Sequence, residues 1–388
     1  MIKKVSARFA IVLTARISTL TLQVLFIGLV ARKSAVQDFG IFIVVMTVSQ
    51  VVLALTEFGL SNKVLIAGDE SWRAGLRSYG HLRLTIWFSS LLAYAISQAS
   101  SLSVWTFVFS AVALTVSEAL GDLACAVRQG RFENISAAVL LLARKSFSLL
   151  VMYLFASAGL VALGAILCSA GGVFIFLYDL WPRRYRHGAL SHLKHAQHEI
   201  TLSSIAANLA QLDAFIVFLV LGPSAAGMYA PSTRLISPVN VIMSSAMQVL
   251  VPELARSNSN FTRRILSFKR AKLASNILCI LLILATPLIL KVVPVIFGEQ
   301  YVGTELVTVA VVVSAALVVS AQVELNWLFA TGAPKSLAPS MFLSVASGYL
   351  LIWLGGKFFG VAGAALGVTL MHLIGTTVIT IKSRKSRA

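Results

Sequence analysis

The stretch Trp181–Glu199, WPRRYRHGALSHLKHAQHE, is the least hydrophobic part of the chain. It carries four histidines (His187, His192, His195, His198) among arginines and lysines, between two long regions that are almost entirely apolar. Upstream, apolar runs of about 20 residues, the length a bilayer core requires, fall near 8–30, 41–60, 81–99, 104–126, 135–157 and 161–180. Downstream they recur near 200–221, 228–250, 271–293, 304–330, 337–356 and 360–381. The polar stretch therefore reads as a linker (181–199) between a six-helix bundle at 1–180 and a second at 200–388 that ends in a basic tail.

The composition demands the same solvent. Of 388 residues 58% are hydrophobic and 12% charged, and the mean hydropathy is +0.89, which leaves too little polar side chain to coat a water-soluble domain. The net charge of +18 is concentrated in alternate short loops. Twenty-four of the 32 lysines and arginines fall on one side of the helix ladder and four on the other (Arg32, Lys33, Lys291, Lys357), which makes the basic side cytoplasmic. An even number of spans then places both termini there. The expected fold class is an all-α membrane protein of about twelve transmembrane helices in two six-helix bundles, both ends cytoplasmic. Nucleic acid is not an expected partner; membrane lipid is. Lys3 and Lys4 ahead of an apolar run mimic a secretion signal, but Arg16 interrupts it and eleven similar spans follow, so it reads as a retained first helix.

The outer loops (100–103, 222–227, 355–360) are a few residues long, so any site lies among the helices. The three cysteines, Cys125, Cys168 and Cys279, lie inside spans without CxxC spacing and read as packing residues, with neither a disulfide framework nor a metal site. The linker histidines lack cysteine partners and sit among cations, which favours a solvated segment on anionic lipid over a metal site. No cofactor is expected, and without a GxxxxGK[ST] loop the chain is not an ATP-driven pump on its own.

The halves echo one another. Gly40-Ile41-Phe42 and Gly227-Met228-Tyr229 open the second helix of each, and Gly159–Ala165 and Gly360–Gly367 precede the sixth, where small residues let helix backbones approach. Duplicated bundles are a common transporter architecture.

Several stretches carry a family resemblance across nearly the whole chain: Gln37-Asp38-Phe39-Gly40-Ile41-Phe42 followed by Glu57-Phe58-Gly59-Leu60; Gln211-Leu212-Asp213 leading through Gly227-Met228-Tyr229 to Val251-Pro252-Glu253-Leu254; Val295-Ile296-Phe297-Gly298-Glu299-Gln300-Tyr301; and Gly360-Val361-Ala362-Gly363-Ala364-Ala365. In their order and spacing the chain resembles the polysaccharide and O-antigen flippases (Wzx-like) of the multidrug/oligosaccharidyl-lipid/polysaccharide (MOP) transporter superfamily. The resemblance implies a non-enzymatic transporter of the bacterial cytoplasmic (inner) membrane. Such a protein flips an undecaprenyl-pyrophosphate-linked oligosaccharide for surface polysaccharide, lipopolysaccharide or exopolysaccharide biosynthesis by alternating access. It also implies a cationic cavity, coupling to H+ or Na+, and work beside other polysaccharide-assembly proteins. Two alternatives stand beside it. One is an ion-coupled multidrug antiporter of the same fold, against which Arg16 stands where such proteins commonly carry an acid. The other is a membrane-embedded oligosaccharide polymerase or glycosyltransferase, for which the outer loops are too short.

Ionisable groups at span depth cost roughly 2.5–3.5 kcal/mol each on insertion scales and so require a partner or a wet cavity. Arg16, Arg234, Arg144 and Lys145 are the candidates for binding an anionic pyrophosphate, since guanidinium forks suit phosphate oxygens. Asp213, Glu324, Glu118 and Asp122 are the candidates for carrying a coupling ion. Depth counted from the loops pairs Glu118 and Asp122 with Arg144 and Lys145, Asp213 with Arg234, and Arg16 with Glu57. Arg144 and Lys145, adjacent in sequence, are expected to face different ways, and Glu324 has no basic neighbour in sequence. His372 reads as a structural histidine, and Trp87, Trp105, Trp327 and Trp353 as interfacial anchors or sugar-stacking rings.

Overall fold

A computed structural model of the chain describes residues 2–57, 73–100, 103–130, 133–180, 198–256, 261–331 and 334–387. The described residues are helical nearly throughout and divide into two compact units, Met1–His195 and Ala196–Ala388. The linker and its histidines up to His195 lie outside the described residues, and of His198 only the backbone is described.

The first unit contains α1 (Ile2–Lys33), α2 (Val36–Glu57), α3 (Arg73–Ala99), α4 (Ser103–Gly130), α5 (Asn134–Ser157) and α6 (Val161–Leu180). Helix α4 is its spine, packed by α2, α3, α5 and α6. A core of Leu53, Leu84, Val116, Leu120, Leu123, Val173 and Phe176 fills the space around it. The approach of α6 to α4 depends on small residues. A Cβ on Gly172 would lie 2.1 Å from the Ser117 carbonyl oxygen, and the Ser117 hydroxyl donates to the Ser169 carbonyl. Van der Waals contact and hydrogen bonds of this kind hold helices together where lipid supplies no hydrophobic drive.

The second unit contains α7 (His198–Leu209), α8 (Asp213–Leu221), α9 (Pro223–Arg256), α10 (Phe261–Leu284), α11 (Thr286–Phe297), α12 (Glu305–Thr331) and α13 (Leu337–Arg387). Four expected spans are more irregular than hydropathy suggests. The seventh is interrupted by a 3₁₀ turn at Ala210–Leu212, with Asp213 opening the continuation. The ninth bends by 61° between α10 and α11, where Pro287 occupies the start of the second helix. The eleventh and twelfth form one helical stretch folded at Gly360, whose φ of +65° is accessible to glycine at little steric cost. After that fold the backbones nearly touch: a Cβ on Gly355 would lie 2.2 Å from the Gly363 carbonyl oxygen, and one on Gly367 2.6 Å from that of Leu351.

Among the described residues seven helices are long and apolar enough to cross a membrane, or eight if the bent pair counts as one span. The outward faces are apolar: Phe88, Leu92 and Ile96 on α3 and Leu343, Phe358 and Phe359 on α13 are more than 60% exposed. That is the surface a lipid-embedded protein requires, with its backbone hydrogen bonds satisfied inside helices. The chain is a multi-pass membrane protein.

Candidate functional site

In the first unit five ionisable side chains converge from three helices. Arg16 is on α1, Glu118 and Asp122 lie one turn apart on α4, and Arg144 and Lys145 are neighbours on α5. Arg144 Nη2 donates to Asp122 Oδ1 at 2.6 Å, and its Nη1 donates to the Glu118 carbonyl oxygen at 3.0 Å. Lys145 Nζ pairs with Glu118 Oε1. Asp122 also acts electrostatically on Arg16, which is half-buried. The depth count thus brings the right residues of α4 and α5 together. Arg144 and Lys145, expected to diverge, both reach α4, because side chains this long span the 100° between adjacent helical positions. Glu57, the expected partner of Arg16, has its side chain outside the described residues.

Room for this arrangement comes from Gly121. A Cβ there would lie 1.9 Å from Arg144 Nη1, so the guanidinium rests in the groove that the missing side chain leaves on α4. Burial is unequal across the pair: the Arg144 side chain is 4% exposed and that of Asp122 64%. Asp122 therefore lies over a buried cation and faces open space itself. Among the described side chains, three cations and two carboxylates gather here at a depth where the helices are largely apolar. A further cation, Arg83 on α3, is 2% exposed and donates to the Ala119 carbonyl at 2.9 Å. In sequence it resembles a loop-flanking residue, and only its placement between His81-Leu82 and Leu84 hinted otherwise.

In the second unit Asp213 sits at the break of the seventh span. Its Oδ1 accepts from the Ala214 N–H at 2.8 Å and its Oδ2 from the hydroxyl of fully buried Tyr229 on α9. The Arg234 charge acts on it from the same helix as Tyr229. The Tyr349 hydroxyl donates to the Leu209 carbonyl, at the end of α7 where the helix gives way to the 3₁₀ turn. Tyr229 was legible only as an aromatic in a helix-opening motif; its contact with Asp213 needs α8 and α9 folded together.

Glu324 on α12 is 4% exposed and lies between two cations, Lys272 of α10 at 3.3 Å and Arg387 of α13 at 3.1 Å. Lys272 also donates to Ser320 Oγ at 2.9 Å, and the Arg387 guanidinium lies 4.2 Å from the Phe268 ring centre. Its partners come from positions 52 residues before it and 63 after it, which is why sequence proximity showed none. Trp327, buried edge-to-face against Phe268, is a core residue and not an interfacial anchor. Trp87 Nε1 donates to Ser169 Oγ at 2.8 Å, whereas Trp105 and Trp353 are exposed. Cys168 and Cys279 each donate to a carbonyl at 3.1 Å and pack as inert side chains. His372 is a half-buried position on α13.

No family model matches the sequence, and no curated protein matches it. Solved structures do. An inward-facing multidrug resistance MATE family transporter of the MOP superfamily superposes with a TM-score of 0.65 at 12% identity, over 97% of this chain and 98% of that one. The lipid II flippase MurJ in an inward closed conformation gives 0.68 at 14%, over 98% and 88%. A MOP superfamily transporter from Pyrococcus furiosus, described by the reverse polarity of its binding pocket, gives 0.61 at 10%, over 98% and 95%. The chain has the fold of MOP superfamily transporters over its whole length; at these identities the likeness speaks to the fold and not to the cargo.

Proposed function

We propose that the protein flips a lipid-linked oligosaccharide, carried on undecaprenyl pyrophosphate, across the bacterial cytoplasmic membrane for surface polysaccharide synthesis. In this reading the chain crosses twelve times, as six-helix bundles at 1–180 and 200–388 joined by the cytoplasmic linker 181–199, with both termini in the cytoplasm. The observation that supports it is the gathering of three cations, Arg16, Arg144 and Lys145, in helices of span depth, with the Arg144 guanidinium buried against a largely exposed carboxylate. A pyrophosphate would replace the exposed Asp122 as the counter-ion of Arg144. Arg234 supplies cationic character to the second unit. Asp213, at a helix break with hydrogen-bonded oxygens, is the first candidate for the coupling proton or sodium, ahead of Glu118 and Asp122. Glu324, already shared by two cations, ranks last.

A multidrug antiporter is the second reading, favoured by the likeness to MATE transporters. The two are separated in cells deleted for the gene and complemented with Arg16→Ala, Arg144→Lys or Arg234→Ala. The flippase reading expects normal membrane insertion, loss of surface polysaccharide and accumulation of the lipid-linked precursor, with unchanged drug susceptibility. Normal polysaccharide in all three variants, or sensitivity to cationic drugs instead, would sink it.

A further inference from the structure

The end of the second unit where α10 begins and α13 finishes carries an ordered basic face. Lys269 and Arg270 on α10 and Arg384 and Lys385 on α13 are all exposed. Lys335 is exposed close by, next to Ser336, whose hydroxyl accepts from Lys382 at 2.7 Å. Residues 261–284, 306–331 and 334–387 hold one acid between them, Glu324, which is buried and already neutralised by Lys272 and Arg387. No carboxylate on these segments is left to balance the exposed cations.

Two features distinguish this face from a loose basic tail. The first is that the helix ends are fixed. Arg387 spans from Glu324 of α12 to the Phe268 ring of α10, and Ser386 lies 3.4 Å from Thr331, so the end of α13 is tied to both neighbours. The second is that each basic pair stands at the head of an apolar stripe on its own helix. Arg270 shares a face with exposed Leu273, Ile277, Ile280 and Leu284, and Lys385 with exposed Leu366, Leu370, Ile374 and Ile381, each set within an arc of about 100° at helical periodicity. An amphiphile with an acyl chain along the stripe would bring its headgroup to the cations.

We infer that this face is a docking surface for anionic phospholipid headgroups, with the pairs Lys269/Arg270 and Arg384/Lys385 contacting the phosphates and the stripes of α10 and α13 the acyl chains. A basic residue near an anionic leaflet contributes about 1 kcal/mol, or about fivefold in occupancy. The surface depends on the chain being a membrane protein but not on its cargo, so it stands or falls separately from the flippase reading.

The test uses the full chain reconstituted in nanodiscs of equal phosphatidylglycerol and phosphatidylcholine, transferred to detergent, with the retained lipids counted by native mass spectrometry. Phosphatidylglycerol should be enriched on the wild type. Enrichment should fall at least about fivefold in Lys269→Gln/Arg270→Gln and in Arg384→Gln/Lys385→Gln. The variant Lys291→Gln/Lys357→Gln, which removes exposed cations elsewhere in the same unit, should leave it unchanged, as should millimolar inorganic phosphate at matched ionic strength. Undiminished enrichment in both basic-pair variants, an equal fall in the Lys291/Lys357 variant, or displacement by free phosphate overturns the inference.

Discussion

Replacing Gly121 by alanine should destabilise the first unit, the opposite of what the substitution does in an ordinary helix. In a helix interior, exchanging glycine for alanine stabilises by about 1 kcal/mol through backbone entropy. Here the new methyl would arrive 1.9 Å from Arg144 Nη1 and 3.0 Å from its Cζ, so the guanidinium must retreat by more than an ångström to reach normal contact. Its bonds to Asp122 Oδ1 at 2.6 Å and to the Glu118 carbonyl at 3.0 Å would then exceed hydrogen-bonding distance. Hydrogen bonds to a charged group contribute about 1.5–3 kcal/mol each. Because the Asp122 side chain is 64% exposed, that pair is discounted towards the value of a solvated ion pair. A gross loss of about 2–4 kcal/mol remains, and after the propensity gain the net destabilisation is about 1–3 kcal/mol. Denaturant titration of the purified protein in detergent measures it. A double-mutant cycle with Asp122→Asn measures the share of the solvated pair, at most about 1 kcal/mol. A stabilised Gly121→Ala protein would refute the placement of Arg144 over Gly121.

Three further substitutions probe the rest of the architecture. Gly172→Ala puts a methyl 2.1 Å from the Ser117 carbonyl oxygen, a backbone atom that cannot swing aside; α6 must shift from α4, and the melting temperature should drop more than for Gly121→Ala. Tyr229→Phe removes one of the donors to Asp213 and should cost about 1–3 kcal/mol, less in an Asp213→Asn background, with full additivity counting against the contact. Glu324→Gln strands Lys272 and Arg387, both mostly buried, and by the logic of a broken ion pair should cost about 2–4 kcal/mol. Trypsin should also cut sooner after Lys382, Arg384 and Lys385, and an unchanged cleavage rate would show that the bridge does not hold the end of α13.

The sequence by itself determined the solvent of this protein, its helical class, and which charges stand at span depth. Those properties are local: an apolar run declares itself in 20 consecutive residues, and a charge inside it is anomalous wherever its partner lies. The α4–α5 cluster was legible because a short hairpin converts distance along the chain into depth, so Glu118, Asp122, Arg144 and Lys145 could be paired by counting. Tertiary structure decided the rest. Glu324 looked solitary because its cations come from α10 and from the end of α13, helices that meet it only in the folded unit. The seventh span read as continuous because hydropathy averages over the 3₁₀ turn that places Asp213 beside Tyr229. Gly121 passed as one small residue among many, since nothing in sequence reveals that an arginine from α5 occupies the space its side chain would fill.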